Sequence, residues 1–377
     1  MDGDKILAAY KEVGGRVETK GTVELKSKED FALFYTPGVG TVSTHLAKHP
    51  EDAKRLSVKG NSVAVISDGS AVLGLGNIGP YGALPVMEGK ALIFKQLADI
   101  NAWPIVLSTQ DPDKIVEAVL AIAPTFGGIN LEDIAAPACF EIERRLIEAL
   151  DIPVMHDDQH GTAIVVLAGL MNAAKAVGKE IKSLKVVIIG AGAAGAATAK
   201  LLAAQGIADI IVADRTGLIE KSREGLSGMK RELAALTNPR GITGTLTDAL
   251  RGADAVIGLS GGGKLLSQDI ETMAERPIVF ALANPNPEIL PEDAKKGGAA
   301  VVATGRSDFP NQINNALVFP GVFRGALDAG VREITEEMKV RAAEALAALV
   351  AAPSAECIIP DVLDERVVRA VAAAIAK

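Results

Sequence analysis

The sequence is poor in cysteine and has no long basic run, and each shortage excludes a class of protein. The two cysteines, Cys139 and Cys357, lie far apart in apolar stretches. We therefore expect two buried free thiols in a reducing cytoplasm, and no disulfide framework. The chain carries 39 Lys and Arg against 47 Asp and Glu, for a net charge of -8. Nucleic acid and anionic membranes are thus poor candidate partners.

Targeting and membrane-spanning segments are also lacking. The first five residues are partly acidic, where a signal peptide would be basic and then apolar, so we expect no export. The segment from Gly69 to Met87 is uncharged and long enough to cross a bilayer. Because glycines and prolines interrupt it throughout, we predict a strand and a glycine-rich loop there.

Strand-like and helix-like segments alternate in strict order from Ser62 onward, which predicts an α/β protein with a mainly parallel sheet. At 377 residues the chain exceeds what one hydrophobic core usually serves, so we expect two domains. The first 26 residues predict a short helix around Ile6–Val13 and two extended pieces, Arg16–Thr19 and Thr22–Leu25. Such an arm is too small for its own core, and we expect it to pack on a partner subunit of a homodimer or larger assembly.

A dinucleotide-binding pattern begins at the β-rich run 184–189. The run leads into a glycine-rich turn and a helix of small residues, and the next strand ends at Asp214. A tight turn, a helix N-terminus facing the pyrophosphate and an acid about 20 residues on are the features of a Rossmann-type domain. Asp214 favours NAD⁺ because a carboxylate repels a 2′-phosphate, whereas Arg215 suits that phosphate and keeps NADP⁺ open. The predicted cofactor-binding residues here are Gly190, Gly192, Ala193, Ala194, Gly195, Asp214 and Arg215.

Acidic residues follow two consecutive predicted strands of the first domain. Glu132 and Asp133 end one strand, and Asp157 and Asp158 come directly after the next. Adjacent carboxylates are costly to hold together unless a cation or a proton neutralises them. Because carboxyl ends of parallel strands meet at one rim, Glu132, Asp133 and Asp158 can converge on a hard cation, for which Mg²⁺ or Mn²⁺ suits all-oxygen ligands. The alternative for Asp158 is a simple cap of the following helix.

These patterns divide the chain into four predicted parts. They are an N-terminal arm at 1–26, a substrate- and metal-binding α/β domain at 27–156, a Rossmann NAD(P)-binding domain at 157–313, and C-terminal helices at 314–377 that pack back on the first domain.

Several motifs together resemble the malic enzymes, in particular the short bacterial and archaeal type. The resemblance covers nearly the whole chain and extends to the order of the motifs. The matching stretches are 35–39 (YTPGV), 73–76 (LGLG), 88–90 (EGK), 132–133 (ED), 156–162 (HDDQHGT), 314–315 (NN) and 319–322 (FPGV).

The resemblance implies oxidative decarboxylation of L-malate to pyruvate with NAD⁺ or NADP⁺ and Mg²⁺ or Mn²⁺. It implies that Glu132, Asp133 and Asp158 bind the metal, that Lys90 is the general base and binds substrate, and that Asp157 orients Lys90. Tyr35 would protonate the enolate carbon. Asn284 and Asn315 would bind substrate oxygens, with Asn284 also beside the cofactor. Without the resemblance, Lys90 is interpreted as a solvated lysine on a helix, and Lys95 is the competing candidate for the functional lysine.

One position departs from the family. Long, animal-type malic enzymes carry a substrate-binding arginine two residues before the LGLG motif, where this chain has Ala71. The substrate carboxylate would then bind loop amides near Ser67–Ser70 or the asparagines. Two other activities stay open: a malolactic-type lyase that converts malate to lactate with bound NAD⁺, and a metal-free hydroxy-acid or amino-acid dehydrogenase.

Overall fold

The computed structural model of the protein describes residues 3–226 and 228–377. The predicted arm begins with residues 1 and 2, which lie outside the described residues. Strands and helices alternate through two mainly parallel sheets, which confirms the predicted α/β class. No helix within the described ranges combines the length and apolar character needed to cross a bilayer.

The first sheet is parallel and has the strand order β2-β1-β3-β4. Its strands are β1 (Ser62–Ser67), β2 (Asn101–Val106), β3 (Gly128–Leu131) and β4 (Val154–His156). The helices before and among them are α1 (Gly3–Val13), α2 (Lys28–Phe34), α3 (Gly38–Lys48), α4 (Ala53–Leu56), α5 (Gly79–Ala98), α6 (Pro112–Ile122) and α7 (Ala138–Ala149).

The second sheet has the order β10-β9-β8-β5-β6-β7 and is parallel except for its last, very short strand. Its strands are β5 (Lys185–Ile189), β6 (Asp209–Asp214), β7 (Gly217–Leu218), β8 (Ala255–Gly258), β9 (Ile278–Ala281) and β10 (Val301–Thr304). The helices from this half to the end are α8 (Asp157–Ala176), α9 (Ala193–Ala204), α10 (Met229–Leu236), α11 (Leu246–Leu250), α12 (Ser267–Glu271), α13 (Pro291–Lys296), α14 (Phe319–Ala329), α15 (Glu336–Ala348) and α16 (Arg366–Ile375).

The glycine-rich segment before Met87 differs from the prediction. Helix α5 already begins at Gly79, and residues 69–78 form a loop with an isolated bridge between Val72 and Gly76 in place of a strand. Pro80 is tolerated because the first helical turn lacks intrahelical N–H bonds in any case. Burial of Met87 and its neighbours compensates for Pro85 inside the helix.

The N-terminal segment contributes nothing to the core of this chain. No described residue before Ser62 is buried, and the two predicted extended pieces form no strand. A capping box begins α2: Ser27 Oγ accepts from Asp30 N, and the Asp30 carboxylate accepts from the Ser27 amide. Large apolar side chains stay exposed along this segment, at positions Ile6, Leu7, Tyr10, Val13, Val17, Val23, Leu25, Phe31, Leu33, Phe34, Tyr35, Val39 and Val42.

Helix α14 packs back on α5 of the first sheet, whereas α15 packs on α8 and α9. The buried rings of Phe319 and Phe323 in α14 meet Phe94 of α5 edge to face, with centroids 4.7 and 5.5 Å apart. Cys139 is buried as expected, but the expectation for Cys357 is wrong. Cys357 lies in an irregular segment before α16 that reaches the surface, so its apolar neighbours in sequence do not cover it.

Candidate active site

Three carboxylates meet at the carboxyl rim of the first sheet. Strands β3 and β4 are parallel neighbours with Leu131 opposite His156, so the residues that follow them lie side by side. Glu132, Asp133 and Asp158 each offer an oxygen, and these oxygens lie within 4.8 Å of one another. Glu132 and Asp133 are buried, and Asp158 is half-buried at the first turn of α8. The structure thus brings together the three predicted metal ligands.

The electrostatics of these acids suit a cation. Asp133 N donates to Asp158 Oδ2 at 2.8 Å, and Leu73 N donates to Asp133 Oδ1 at 3.3 Å, whereas the buried Asp133 Oδ2 has no partner among the described residues. Burial, together with the charge of Asp158, raises the pKa of Asp133 to about 7. Burial likewise raises the pKa of Glu132. A divalent ion would remove this cost, so the residues present fit Mg²⁺ or Mn²⁺.

Lys90 lies beside this acidic cluster and is only 8% exposed. Its Nζ donates to Asp157 Oδ2, lies 3.0 Å from Glu132 Oε1 and stands 4.2 Å from the centroid of the Phe319 ring. Burial lowers the pKa of Lys90, but the carboxylates of Asp157, Glu132 and Asp158 outweigh it and raise that pKa overall. The interpretation of Lys90 as a solvated lysine is therefore wrong, whereas the rival Lys95 is exposed and pairs with Asp99.

Asp157 is fully buried and points at Lys90. Burial raises its pKa to about 6, against the opposing charge of Lys90. Gly161 makes room for it, because a Cβ at that position would lie 1.7 Å from Asp157 Oδ1. The glycine four residues after Asp157 therefore leaves the space that the carboxylate needs to reach Lys90.

A buried carboxylate that was not predicted from the sequence holds the junction between β4 and α8. Glu143 of α7 accepts from His156 N at 2.6 Å and from Gln159 Nε2 at 3.0 Å, and it lies 3.1 Å from His160 Nε2. Burial raises its pKa, but the charge and hydrogen bond of His160 lower it to about 2. Glu143 lies more than ten residues from its partners in sequence, so no local motif could have revealed it.

The acids open into a cleft of about 450 Å³ between the carboxyl ends of the two sheets. Ala194 of the glycine-rich turn and the two predicted asparagines, Asn284 and Asn315, also line this cleft. Asn314 Oδ1 is already bonded to Ala316 N, whereas neither Asn284 nor Asn315 uses its side-chain amide in a hydrogen bond to another described residue. Those two amides are available to a ligand.

The loop before the LGLG motif offers less than expected. The amide of Gly69 donates to Ser67 Oγ, that of Ser70 to Asp68 Oδ1, and that of Ala71 to Asp133 O, at 2.9 to 3.1 Å. These loop amides are therefore occupied. Of the two expected ways to bind the substrate carboxylate, the geometry favours the asparagines.

The glycine-rich turn has the geometry of a phosphate-binding turn. Gly190 has φ 117°, which favours glycine, and its amide donates to Ala213 O at 2.8 Å. A Cβ on Gly195 would lie 1.8 Å from Gly190 O, so only glycine permits this approach. Gly192 precedes the first turn of α9, to which Ala193 and Ala194 belong. In Rossmann-type domains the amides at such a helix start bind the pyrophosphate.

Asp214 ends β6 next to this turn, as predicted, but its carboxylate is already engaged. Arg223 Nη2 donates to both Asp214 oxygens at 2.9 Å, and Lys230 Nζ donates to Oδ2 at 2.6 Å. Burial raises the pKa of Asp214, but the hydrogen bonds from Arg223 and Lys230 hold it well below its ordinary value. Arg215 is exposed. Sequence reasoning missed Arg223 and Lys230, because it considered only the residue next to Asp214.

Of the three predicted catalytic residues, Lys90 lines the cleft and the buried Asp157 contacts Lys90 directly, whereas Tyr35 does neither in its own chain. It follows α2, is 58% exposed and meets Phe31 edge to face, with centroids 5.3 Å apart. The remaining predicted catalytic and metal-binding side chains lie at the cleft or directly beside it.

Two family models and several known proteins match this chain. A family model described as "Malic enzyme, NAD binding domain" matches residues 159–377, and one described as "Malic enzyme, N-terminal domain" matches 14–112 and 108–147. The NAD-dependent malic enzyme of Geobacillus stearothermophilus is 54% identical over 96% of this chain and 76% of its own length. The "Bifunctional malic/malolactic enzyme" of Bacillus subtilis is 52% identical over 99% of this chain and 92% of its own.

Solved structures of malic enzymes share the fold of this chain. The NAD-dependent malic enzyme of Thermotoga maritima superposes with a TM-score of 0.95 at 47% identity, covering 100% of this chain and 99% of its own. The malic enzyme of Pyrococcus horikoshii gives 0.93 at 48% identity, covering 98% and 90%.

Proposed function

The chain belongs to the malic enzyme family, whose reaction is the oxidative decarboxylation of malate, and we propose that it carries out this reaction on L-malate with a divalent cation. It is thus an oxidoreductase with an NAD-binding domain. The observation that carries the proposal is one cleft lined by Lys90, by three converging carboxylates and by the glycine-rich turn. Pyruvate, CO₂ and a reduced nicotinamide are the expected products.

The metal proposal rests on Glu132, Asp133 and Asp158. Three carboxylate oxygens lie within 4.8 Å of one another, and the buried Asp133 Oδ2 has no hydrogen-bond partner among the described residues. Both features match what Mg²⁺ or Mn²⁺ requires. A bound divalent ion supplies a Lewis acid that lowers the pKa of the malate hydroxyl and offsets the charge of the surrounding carboxylates.

Each remaining side chain has a proposed role in the transfer of protons or hydride or in substrate binding. A cation bound by Glu132 and Asp158 would offset the charges that raise the pKa of Lys90, so that Lys90 Nζ in its neutral form takes the hydroxyl proton of malate, and the hydride on C2 passes to the nicotinamide. The carboxylate β to the new carbonyl leaves as CO₂, and the Tyr35 hydroxyl protonates the carbon it leaves. Asp157 keeps Lys90 oriented toward the substrate through its direct hydrogen bond. The amides of Asn284 and Asn315 donate to the substrate carboxylates.

We assign Tyr35 to the site of a second copy of the chain. Exposed apolar side chains run through the N-terminal segment from Ile6 to Val42, a pattern that marks an interface when it is this extensive. Tyr35 lies within this surface and away from its own cleft. A homodimer whose two-fold axis brings each Tyr35 to the partner's Lys90 would complete both sites at once.

The cytoplasm is the proposed location. Cys139 and Cys357 are both free thiols, which a reducing compartment maintains.

The test is product analysis with L-malate, Mn²⁺ and either dinucleotide. Pyruvate formed mole for mole with reduced nicotinamide supports the proposal. The similarity to a relative named "Bifunctional malic/malolactic enzyme" makes lactate the product to assay in parallel. Lactate without net nicotinamide reduction would replace the proposal with a malolactic lyase, and turnover that persists without a divalent ion would favour a metal-free dehydrogenase.

A further inference from the structure

Glu288 is a fully buried carboxylate to which the proposed chemistry gives no role. It forms no ion pair with any residue that the structure describes. Burial raises its pKa, and only backbone amides oppose that effect. A buried carboxylate without a cation is costly unless hydrogen bonds compensate for it, so the bonds that Glu288 makes define what it can do.

The two oxygens of Glu288 accept hydrogen bonds from two different loops. Oε1 accepts at 3.0 Å from Ser260 N, in the loop after β8, and Oε2 accepts at 3.1 Å from Ala283 N, just after β9. The ladder between the two strands ends at the bond from Leu282 N to Gly258 O. Beyond that point Glu288 joins the two chains instead. An ionised carboxylate has only acceptors, so it can receive both amides at once.

The surrounding backbone leaves a fitted space for this side chain. A Cβ on Gly258 would lie 2.3 Å from the Cδ of Glu288, so a glycine at the end of β8 is needed for the carboxylate to enter. The main chain of Glu288 is fixed as well, because its carbonyl accepts from Leu265 N at 3.1 Å. The carboxylate is therefore held between the two loops.

These two loops form one wall of the cleft. Residues 259–262 and 282–286 both line it. The first loop closely approaches the glycine-rich turn, since a Cβ on Gly190 would lie 2.6 Å from Leu259 O, and the second carries Asn284. Ligands of open parallel sheets bind in the crevice outside the carboxyl ends of the strands, which is where both loops lie. A shift of one loop against the other would therefore change the shape of the dinucleotide site.

We propose that Glu288 is a positioning residue for the dinucleotide: its carboxylate holds the loops after β8 and β9 at a fixed separation, so that this wall of the cleft has its binding shape before the ligand enters. The inference rests on the proposed function, in which dinucleotide and malate share the cleft. A preorganised site loses less free energy to loop ordering when its ligand binds. The three metal-binding carboxylates follow strands of the other sheet, so cation binding should not depend on Glu288.

Binding of two kinds of ligand tests the proposal without catalysis. NADH and NADPH are titrated by calorimetry, and Mn²⁺ by electron paramagnetic resonance, into the full-length parent, Glu288→Gln, Glu288→Met and the exposed control Glu292→Gln. Glutamine keeps the shape of Glu288 but turns an NH₂ group toward one of the two backbone donors, and methionine offers only a weak acceptor.

We expect Glu288→Gln to bind the preferred dinucleotide about tenfold more weakly than the parent, the size of one lost hydrogen bond to a charged group. Glu288→Met should lose more, because neither loop keeps a strong acceptor. The Mn²⁺ affinity of both variants should match that of the parent, and Glu292→Gln should match the parent for every ligand.

Steady-state kinetics with malate complete the test. The KM for the dinucleotide should rise about tenfold in Glu288→Gln, whereas the Mn²⁺ concentration for half-maximal turnover should not change. Parental dinucleotide affinity in both Glu288 variants would overturn the assignment, because the side chain would then only fill space. Equal losses of dinucleotide and Mn²⁺ affinity would also overturn it, because they would indicate general destabilisation.

The two proposals fail in different ways. If the parent oxidises malate and Glu288→Gln and Glu288→Met bind the dinucleotide as the parent does, this inference fails and the proposed function stands. If the Glu288 variants lose dinucleotide affinity alone but the parent does not oxidise malate, the proposed function fails and this inference stands.

Discussion

Lys90 is the side chain on which the proposed chemistry depends most directly. Its Nζ contacts both Asp157 and Glu132 beside the cleft, where Lys90 is only 8% exposed. We predict that Lys90→Arg lowers kcat about 10²- to 10⁴-fold, the range for a lost general base. A guanidinium retains the positive charge that the two buried carboxylates need but does not give up its proton.

Steady-state kinetics with malate measure this effect, with Lys95→Arg as the control on the same helix. Lys95 is exposed and pairs with Asp99, so its variant should retain parental rates. A Lys90→Arg enzyme within tenfold of the parent, with unchanged thermal unfolding, would remove Lys90 from its assigned role.

At the scale of elements, the junction between β4 and α8 depends on a carboxylate from the neighbouring helix α7. Glu143 receives the His156 amide and the Gln159 side chain, and so fixes the turn that carries Asp157 and Asp158. Its pKa of about 2, against an ordinary 4.5, means that the folded state binds its proton less readily than the unfolded chain. The resulting stabilisation is complete above about pH 4.5 and is lost as the pH falls toward 2.

We predict that Glu143→Gln lowers the free energy of unfolding by about 3 kcal/mol at neutral pH, an order-of-magnitude figure from this pKa difference. The deficit should shrink as the pH falls below 4.5, because the parent carboxyl then becomes protonated too. Urea unfolding across this pH range measures the difference. Glu141→Gln, an exposed acid of the same helix paired with Arg145, is the control and should change stability by about 1 kcal/mol or less. A pH-independent deficit in Glu143→Gln would contradict the ionic explanation.

The elements were more predictable than the contacts between them. The strand-to-helix junction at Asp157 and the turn at Gly190 follow from local periodicity and glycine spacing, and the structure confirms both. The start of α5 at Gly79 was missed because glycine and proline favour loops locally, whereas burial against the core decides the segment. Glu143 was invisible in the sequence because its role arises only when α7 packs beneath the next strand and helix.

At the scale of the whole molecule, the N-terminal segment is the feature that a single chain leaves unexplained. Its apolar side chains are exposed from Ile6 to Val42, and Tyr35 lies among them. A shared site predicts that Tyr35→Phe and Lys90→Ala are each inactive alone but regain activity when mixed and allowed to exchange subunits. Random exchange makes half the dimers mixed, each with one intact site of two, so recovery should approach about a quarter of parental activity.

Native mass spectrometry of the mixture verifies that mixed dimers have formed. If mixed dimers are present but activity remains at the sum of the two separate variants, Tyr35 and Lys90 act within one chain. A monomeric parent would contradict the proposed interface altogether.

The most direct test of the central claim, that malate turns over at a cation held by Glu132, Asp133 and Asp158, is a Mn²⁺ titration of malate-dependent nicotinamide reduction. The parent protein is first stripped of divalent ions, and Asp158→Asn is titrated beside it, with the exposed Asp113→Asn as control. We predict no turnover in the stripped protein and saturable recovery with Mn²⁺. The Mn²⁺ concentration that gives half-maximal turnover should be about tenfold higher or more for Asp158→Asn. For Asp113→Asn it should match that of the parent. Full turnover in the stripped protein, or identical Mn²⁺ dependence in Asp158→Asn, would contradict the account.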